Sequence, residues 1–251
     1  MQFPINGHLF NKEISTHFVL EIASMFIGVR HYIYLRKRSQ DTISDINRLK
    51  IFAAVCFGAL IGSRLVGVLE NPFQFFNYPN KFYYIFSNKT IVGGFLFALF
   101  SVELLKIKLN IKTSSGDVMT YPILLALIIG RVGCFCEGLR DGTIGKETTL
   151  FTGFNFGDGI YRHPLPLYEI IFLISLWCII FILDNKLMLA NGSKFKLFFI
   201  FYFVYRFFIE FLKNNEFTIL NLSTIQITSL IGLIYYMPTL IRPKRLFLQY
   251  A

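Results

Sequence analysis

Charge is what this chain has little of. Asp, Glu, Lys and Arg make up 16% of its 251 residues, against roughly one quarter in an ordinary soluble domain. So small a share cannot cover a water-facing surface, and with 54% hydrophobic residues the composition excludes a soluble globular protein. Acidic residues are the scarcer sign, 15 against 25 Lys and Arg. No soluble basic module accompanies that excess, so nucleic acid is not an expected partner. Cysteine is sparse too. Cys56, Cys134, Cys136 and Cys178 offer neither a disulfide framework nor a paired zinc spacing, and no metal or other cofactor is expected. The N-terminus lacks a basic stretch and a small-residue cleavage site, so the first apolar run reads as a membrane helix and not as a signal peptide.

What is present is a series of apolar runs about 20 residues long, the length of a helix across a bilayer. They lie near 17–35, 50–69, 90–108, 119–136, 165–183, 195–213 and 223–241. The expected fold is all-α: a polytopic membrane protein of about seven helices around a polar cavity, in a single domain over 1–251. Arg36, Lys37, Arg38, Arg48 and Lys50 follow the first run, and Lys106, Lys108 and Lys112 the third. Lys186, Lys194 and Lys196 follow the fifth, and Arg242, Lys244 and Arg245 the last. Basic residues mark cytoplasmic loops, which puts the N-terminus outside, the C-terminus inside and the polar stretch 137–164 in an outer loop.

Within these runs stand Arg64, Glu103, Arg131, Glu169, Arg206 and Glu210. A charge at the centre of a membrane helix costs roughly 2.5–3.5 kcal/mol on insertion scales. Such residues persist by facing one another, water or a polar ligand, so several of them are expected to line one cavity. Tyr202, Arg206 and Glu210 recur every four residues and share a helix face. Two readings stand: a structural Arg–Glu lock, or Arg206 binding an anion that Glu210 orients. Arg64 needs a carboxylate or a phosphate, since a guanidinium has no neutral form at accessible pH. Arg131 lies between Gly130 and Gly133, beside Glu137, and either snorkels to the interface or forms a site. His163, ahead of Pro164, Pro166 and Glu169, is a proton shuttle or a helix cap.

Taken in order, these segments resemble the prolipoprotein diacylglyceryl transferases, enzymes of the bacterial inner membrane. The resemblance rests on Gly62-Ser63-Arg64 with Asn71-Pro72, on Gly93-Gly94, and on Gly130-Arg131-Val132-Gly133 with Gly142. It continues through Arg162-His163-Pro164 with Leu167-Tyr168-Glu169, the Tyr202/Arg206/Glu210 face, and Gln226. The chain departs from the family pattern in four places. Val92 stands where the family has a histidine, Cys134 where it has an asparagine, Cys136-Glu137-Gly138 where it has Asn-Gly-Glu, and Glu21 where it has a tyrosine.

The resemblance implies transfer of diacylglyceryl from phosphatidylglycerol to the lipobox cysteine of preprolipoproteins. Arg131, Arg206 and Arg64 would bind the phosphate. His163, Glu169, Arg206, Glu210 and Tyr202 would serve catalysis, with the base drawn from His163 or Glu169. Gly93, Gly94, Gly133, Cys134, Glu137, Gly142 and Gln226 would support the site. Phosphatidylglycerol and other membrane lipids, with the lipobox peptide, are the implied partners of a monomer in the bacterial inner membrane. The alternative on the same scaffold is a phospholipid-binding or transport protein, or a transferase with another lipid or acceptor.

Overall fold

The computed structural model describes residues 3–9, 12–39, 41–215 and 217–247. A short antiparallel hairpin, β1 (Asn6–Leu9) with β2 (Lys12–Ser15), precedes the first long helix. The long helices are α1 (Thr16–Arg38), α2 (Asp45–Leu69), α5 (Ile91–Lys108), α6 (Asp117–Glu137), α7 (Leu165–Leu187) and α8 (Ser193–Ile209). Two short helices, α3 (Pro72–Asn77) and α4 (Lys81–Ser87), lie between α2 and α5, and α9 (Thr224–Tyr235) and α10 (Met237–Ile241) close the bundle. Each expected apolar run has become helix, within a few residues of its expected limits.

Local chemistry sets the ends. Ser15, Ser44 and Ser223 cap α1, α2 and α9 by accepting a backbone N–H of the first turn. Pro166 sits in the first turn of α7, where its missing N–H removes no helical bond. The expected outer loop 137–164 is not irregular throughout. It holds a 3-10 turn (Gly138–Asp141) and a second hairpin, β3 (Phe154–Asn155) with β4 (Tyr161–Arg162). The N-terminal hairpin and α3–α4 had no apolar period to announce them.

This is a multi-pass membrane protein. Four helices, α1, α2, α6 and α7, are long and apolar enough to cross a bilayer, and α4 with α5, bent by 87°, makes a fifth if the pair counts as one span. Two of the seven expected spans fall short by that measure. α8 has 17 residues and carries Lys194, Lys196 and Arg206, and α9 has 12 residues. Burial explains α8. Phe198, Tyr202 and Phe203 are fully enclosed, packed with Val92, Leu96, Leu124, Leu173 and Ile225 of the surrounding helices. A helix shielded by protein can carry charge that a lipid-facing one cannot. The outer helices instead present Phe18, Met25, Phe26, Phe57 and Ile171, all largely exposed.

The α2–α5 contact is a backbone-to-backbone approach. A Cβ on Gly62 would stand 2.4 Å from the Gly93 carbonyl oxygen, and a Cβ on Gly93 would stand 2.4 Å from that of Gly62. Gly58 meets the Phe97 carbonyl in the same way, at 2.6 Å. Small residues allow close helix packing in lipid, where apolar side chains gain little from leaving hydrocarbon.

Candidate functional site

Glu169 is the centre of the site. It lies one turn into α7 with 2% of its surface exposed. Its Oε1 accepts the Tyr202 hydroxyl at 2.8 Å. Its Oε2 receives Arg131 Nη2 of α6 at 2.9 Å and Arg206 Nη1 of α8 at 3.1 Å. Arg206 reaches on to Glu210 at 3.4 Å. Glu210 lies 3.8 Å from the ammonium of Lys213, which pairs with Glu70 beyond the end of α2 at 3.1 Å. The result is a line of alternating charge running from α6 to α2 through the bundle.

Each member is held by its element. Tyr202 and Arg206 share a face of α8, as their spacing requires. Arg206 also occupies the last turn of α8, where the helix dipole favours a cation. Lys146 N–H donates to the Leu212 carbonyl and Gly145 N–H to that of His163, which ties the connection between α6 and α7 to the end of α8.

Arg131, Glu169, Arg206, Glu210 and Lys213 line one small cavity of about 30 Å³, with Thr143, Leu165, Pro166 and Ile209. Among the described residues, Nε–H of Arg131, Nε–H of Arg206 and Oε1 of Glu210 are buried without a hydrogen-bond partner. Buried polar groups of that kind cost about 1–3 kcal/mol each when left unpaired. Three cations and two carboxylates line this cavity, and Glu70 behind Lys213 brings the set to formal neutrality. A larger cavity of about 200 Å³ adjoins it, lined by Glu70, Asn71, Gln74, Asn88, Asn214 and Thr224 among others, and Lys213 belongs to both walls.

The expected convergence therefore holds for Arg131, Glu169, Arg206 and Glu210 and fails for two charges. Glu103 pairs with Lys106 one turn away and is over one third exposed. Arg64 donates from Nη1 to the Phe86 carbonyl at 2.6 Å and lies over the Phe86 ring. Among the described residues no carboxylate pairs with it. A carbonyl dipole and a ring face at the end of α4 contact it, while its Nε–H, like those of Arg131 and Arg206, is buried without a hydrogen-bond partner.

His163 is buried but does not line the cavity. Its Nδ1 lies 3.2 Å from the Tyr168 hydroxyl, which donates to Thr152. Glu169, the other expected base, has both oxygens engaged by cations and a phenol. Gln226 completes a capping box with Ser223 and donates from Nε2 to the Phe207 carbonyl, so it locks α9 to α8. Gly93 and Gly94 serve the α2–α5 contact. Gly142 takes a left-handed conformation, φ 69°, at the end of the 3-10 turn. Glu137 accepts the Ser15 hydroxyl at 3.3 Å and joins α6 to the start of α1.

The four departures have distinct surroundings. Val92 is fully enclosed in the apolar core. Glu21 pairs with Lys89 at 2.5 Å. Cys134 accepts from Arg131 Nη1 at 3.7 Å and lies 3.9 Å from His17 Nε2. Cys136 is a free thiol near the end of α6. Sequence reasoning passed over His17 and Lys213. Neither stands in a motif, and their partners Asp141 and Glu70 are far away in the chain.

A phosphatidylglycerol–prolipoprotein diacylglyceryl transferase of Clostridium novyi is 29% identical over 260 residues, covering 98% of this chain and 99% of the relative. One from Clostridium botulinum (strain 657) is 28% identical over 246 residues, covering 92% and 94%. One from Wolbachia pipientis is 28% identical over 228 residues, covering 83% and 85%. The pattern of the prolipoprotein diacylglyceryl transferase family matches residues 4–242, nearly the whole chain, and the protein belongs to that family.

Proposed function

We propose that this protein transfers the diacylglyceryl group of phosphatidylglycerol to the lipobox cysteine of a prolipoprotein. The observation that carries this reading is the pair Arg131 and Arg206, which share Glu169 from opposite helices while each keeps a buried Nε–H unpaired. A guanidinium presents several N–H groups in a plane and binds phosphate oxygens in forked, charge-assisted bonds. The phosphate of the lipid is held at Arg131 and Arg206, with Tyr202 and Glu169 fixing the two forks. Glu210 steers Arg206. Arg64 stands apart from this set and holds α4 against α2.

In the reaction, the acceptor sulfur attacks the glyceryl carbon as a thiolate. An S–C bond forms, the C–O bond to phosphorus breaks, and glycerol phosphate leaves with its new charge beside two arginines. The small cavity of about 30 Å³ admits only a few water-sized groups, so a headgroup enters by displacing Lys213 from Glu210. The larger cavity on the far side of Lys213 is its approach.

The chain acts as a single membrane domain of about seven spans, with α8 and α9 completing the set inside the shelter of the others. The N-terminus lies outside and the C-terminus inside the bacterial inner membrane, so the site opens to the outer leaflet. That orientation is supported by the basic ends Arg36–Arg38, Lys106–Lys108 and Lys194–Lys196, which all lie at the helix ends opposite to Arg206 and Glu169. The protein works as a monomer.

The test is transfer from phosphatidylglycerol to a lipobox peptide by the purified protein, followed by mass spectrometry of the thioether. Arg131→Ala and Arg206→Ala are each expected to lose about a hundredfold or more, the scale of a lost charge-stabilising donor. Full activity in either variant overturns the anion role. Phosphatidylglycerol that binds but is never cleaved identifies a lipid-binding protein instead.

A further inference from the structure

His17 at the start of α1, Cys134 in α6 and Asp141 in the 3-10 turn meet at one point. Nε2 of His17 lies 3.9 Å from Sγ of Cys134 and 3.7 Å from Oδ1 of Asp141. All three donor atoms lie within 4.8 Å of one another. Donors around a tetrahedral ion with bonds of about 2.0–2.3 Å stand roughly 3.3–3.8 Å apart. Closing the observed triangle onto an ion takes only small side-chain shifts.

The three side chains are held from behind, as ligands are. A Cβ on Gly133 would stand 3.1 Å from Cδ2 of His17, so the glycine lets the imidazole lie against α6. Thr143 donates its hydroxyl to Oδ2 of Asp141, leaving Oδ1 toward His17. Arg131 donates from Nη1 to the Cys134 sulfur at 3.7 Å and so fixes where the sulfur lies. Supporting donors of this kind orient ligands and tune affinity. The Asp141 side chain is 9% exposed and that of His17 is 26% exposed, so the point is enclosed on one side and reachable from the other. Arg131 and Thr143 also line the small cavity of the Glu169 cluster, which makes the two sites neighbours.

We infer that His17, Cys134 and Asp141 bind one divalent ion of the zinc class and leave a fourth coordination position open for the thiolate of an acceptor cysteine. Mixed sulfur, nitrogen and oxygen donors suit zinc, and three protein ligands with one open position are the pattern of reactive zinc sites. The acceptor half of the inference rests on the transferase reading above. An incoming thiol that coordinates the ion loses its proton to water. The bound sulfur then attacks the glyceryl carbon as the phosphate ester C–O bond breaks beside Arg131. Thiolate formation would thus need no imidazole at position 92, where this chain has an enclosed valine, and neither His163 nor Glu169 as base.

The full-length protein, purified in detergent and stripped with a chelator, is titrated with Co²⁺ and separately with Zn²⁺. One ion per chain is expected, with thiolate-to-cobalt charge-transfer absorption and intense tetrahedral d–d bands. Cys134→Ser should abolish the charge-transfer band, and His17→Ala and Asp141→Asn should each weaken binding by about tenfold or more. A cysteine lipobox peptide should add a second thiolate increment that the serine peptide does not. No saturable uptake by the wild-type chain, or equal uptake by folded Cys134→Ser, overturns the site. An unchanged cobalt spectrum with the cysteine peptide overturns the acceptor role. Full transfer by the metal-free protein refutes the metal's part in catalysis and leaves the transferase reading standing. Stoichiometric metal without transfer by the reloaded protein refutes the transferase reading and leaves the site standing.

Discussion

Arg131 and Arg206 donate to the same oxygen of Glu169, at 2.9 and 3.1 Å, from helices on either side of it. One carboxylate is thus shared by two guanidinium groups, and Glu210 is a second partner of Arg206. Each guanidinium still keeps a buried Nε–H without a partner, and that leaves a donor for an anion.

Replacing Arg206 by lysine tests whether charge alone suffices. The ammonium keeps the charge but cannot span Glu169 and Glu210 as a fork. Arg206→Lys is expected to lose about ten- to a hundredfold in kcat/KM, roughly 1.4–2.8 kcal/mol of transition-state stabilisation. A steady-state transfer assay with the lipobox peptide reads this directly.

Glu169→Gln removes the shared charge, leaving buried Arg131 without a carboxylate and Arg206 with Glu210 alone. Breaking a buried ion pair by deleting one partner costs about 3–5 kcal/mol. The variant should unfold at a markedly lower temperature in detergent, measured by intrinsic fluorescence or size-exclusion after heating. Tyr202→Phe removes only the 2.8 Å bond to Oε1 and should lose about 1–3 kcal/mol.

Gly62→Ala places a methyl group 2.4 Å from the Gly93 carbonyl. Backbone must move, so α2 and α5 separate, with an expected loss of about 1–3 kcal/mol. Gly130→Ala is the control, since a Cβ there meets no atom within 4 Å. The same melting measurement should leave Gly130→Ala close to wild type.

At the other end of the bundle Asp41 joins α1 to α2. It accepts from Arg48 through both oxygens at 2.7 Å and from Arg36 at 3.1 Å. Burial works to raise its pKa, but the hydrogen bonds from Arg48, the Ile43 N–H and Arg36 outweigh it and bring the carboxyl down from 3.8 to about 2. A depressed carboxyl stabilises the fold above its unfolded pKa and loses that contribution as pH falls through its folded pKa. The contribution is therefore complete above 3.8 and fades toward about 2. Asp41→Asn should lower stability at neutral pH by about 3 kcal/mol, because Arg48 is left buried without a carboxylate. The gap to wild type should narrow in that acid window, as thermal melts across pH would show.

The charged residues of the site were legible because an ionised group in an apolar run has so few physical explanations. Arg131, Glu169, Arg206 and Glu210 were found that way, and the four-residue spacing on α8 placed Tyr202 beside them. Arg64 was expected to meet a carboxylate or a phosphate, and among the described residues it meets a carbonyl and a ring face, contacts that leave no mark in hydropathy. The long helices followed from run length. The α8 segment was assigned a span despite its charges, and only burial shows what shields them.

The amino-acid order alone determined a helical membrane chain with several ionised groups held inside it, since periodicity, apolar length and the cost of buried charge are local properties. The tertiary fold decided that Glu169 is shared, that Lys213 stands between two cavities, and that His17 meets Cys134 and Asp141. Those relations join residues far apart in the chain, and their distances are set by how the helices pack, which no local pattern encodes.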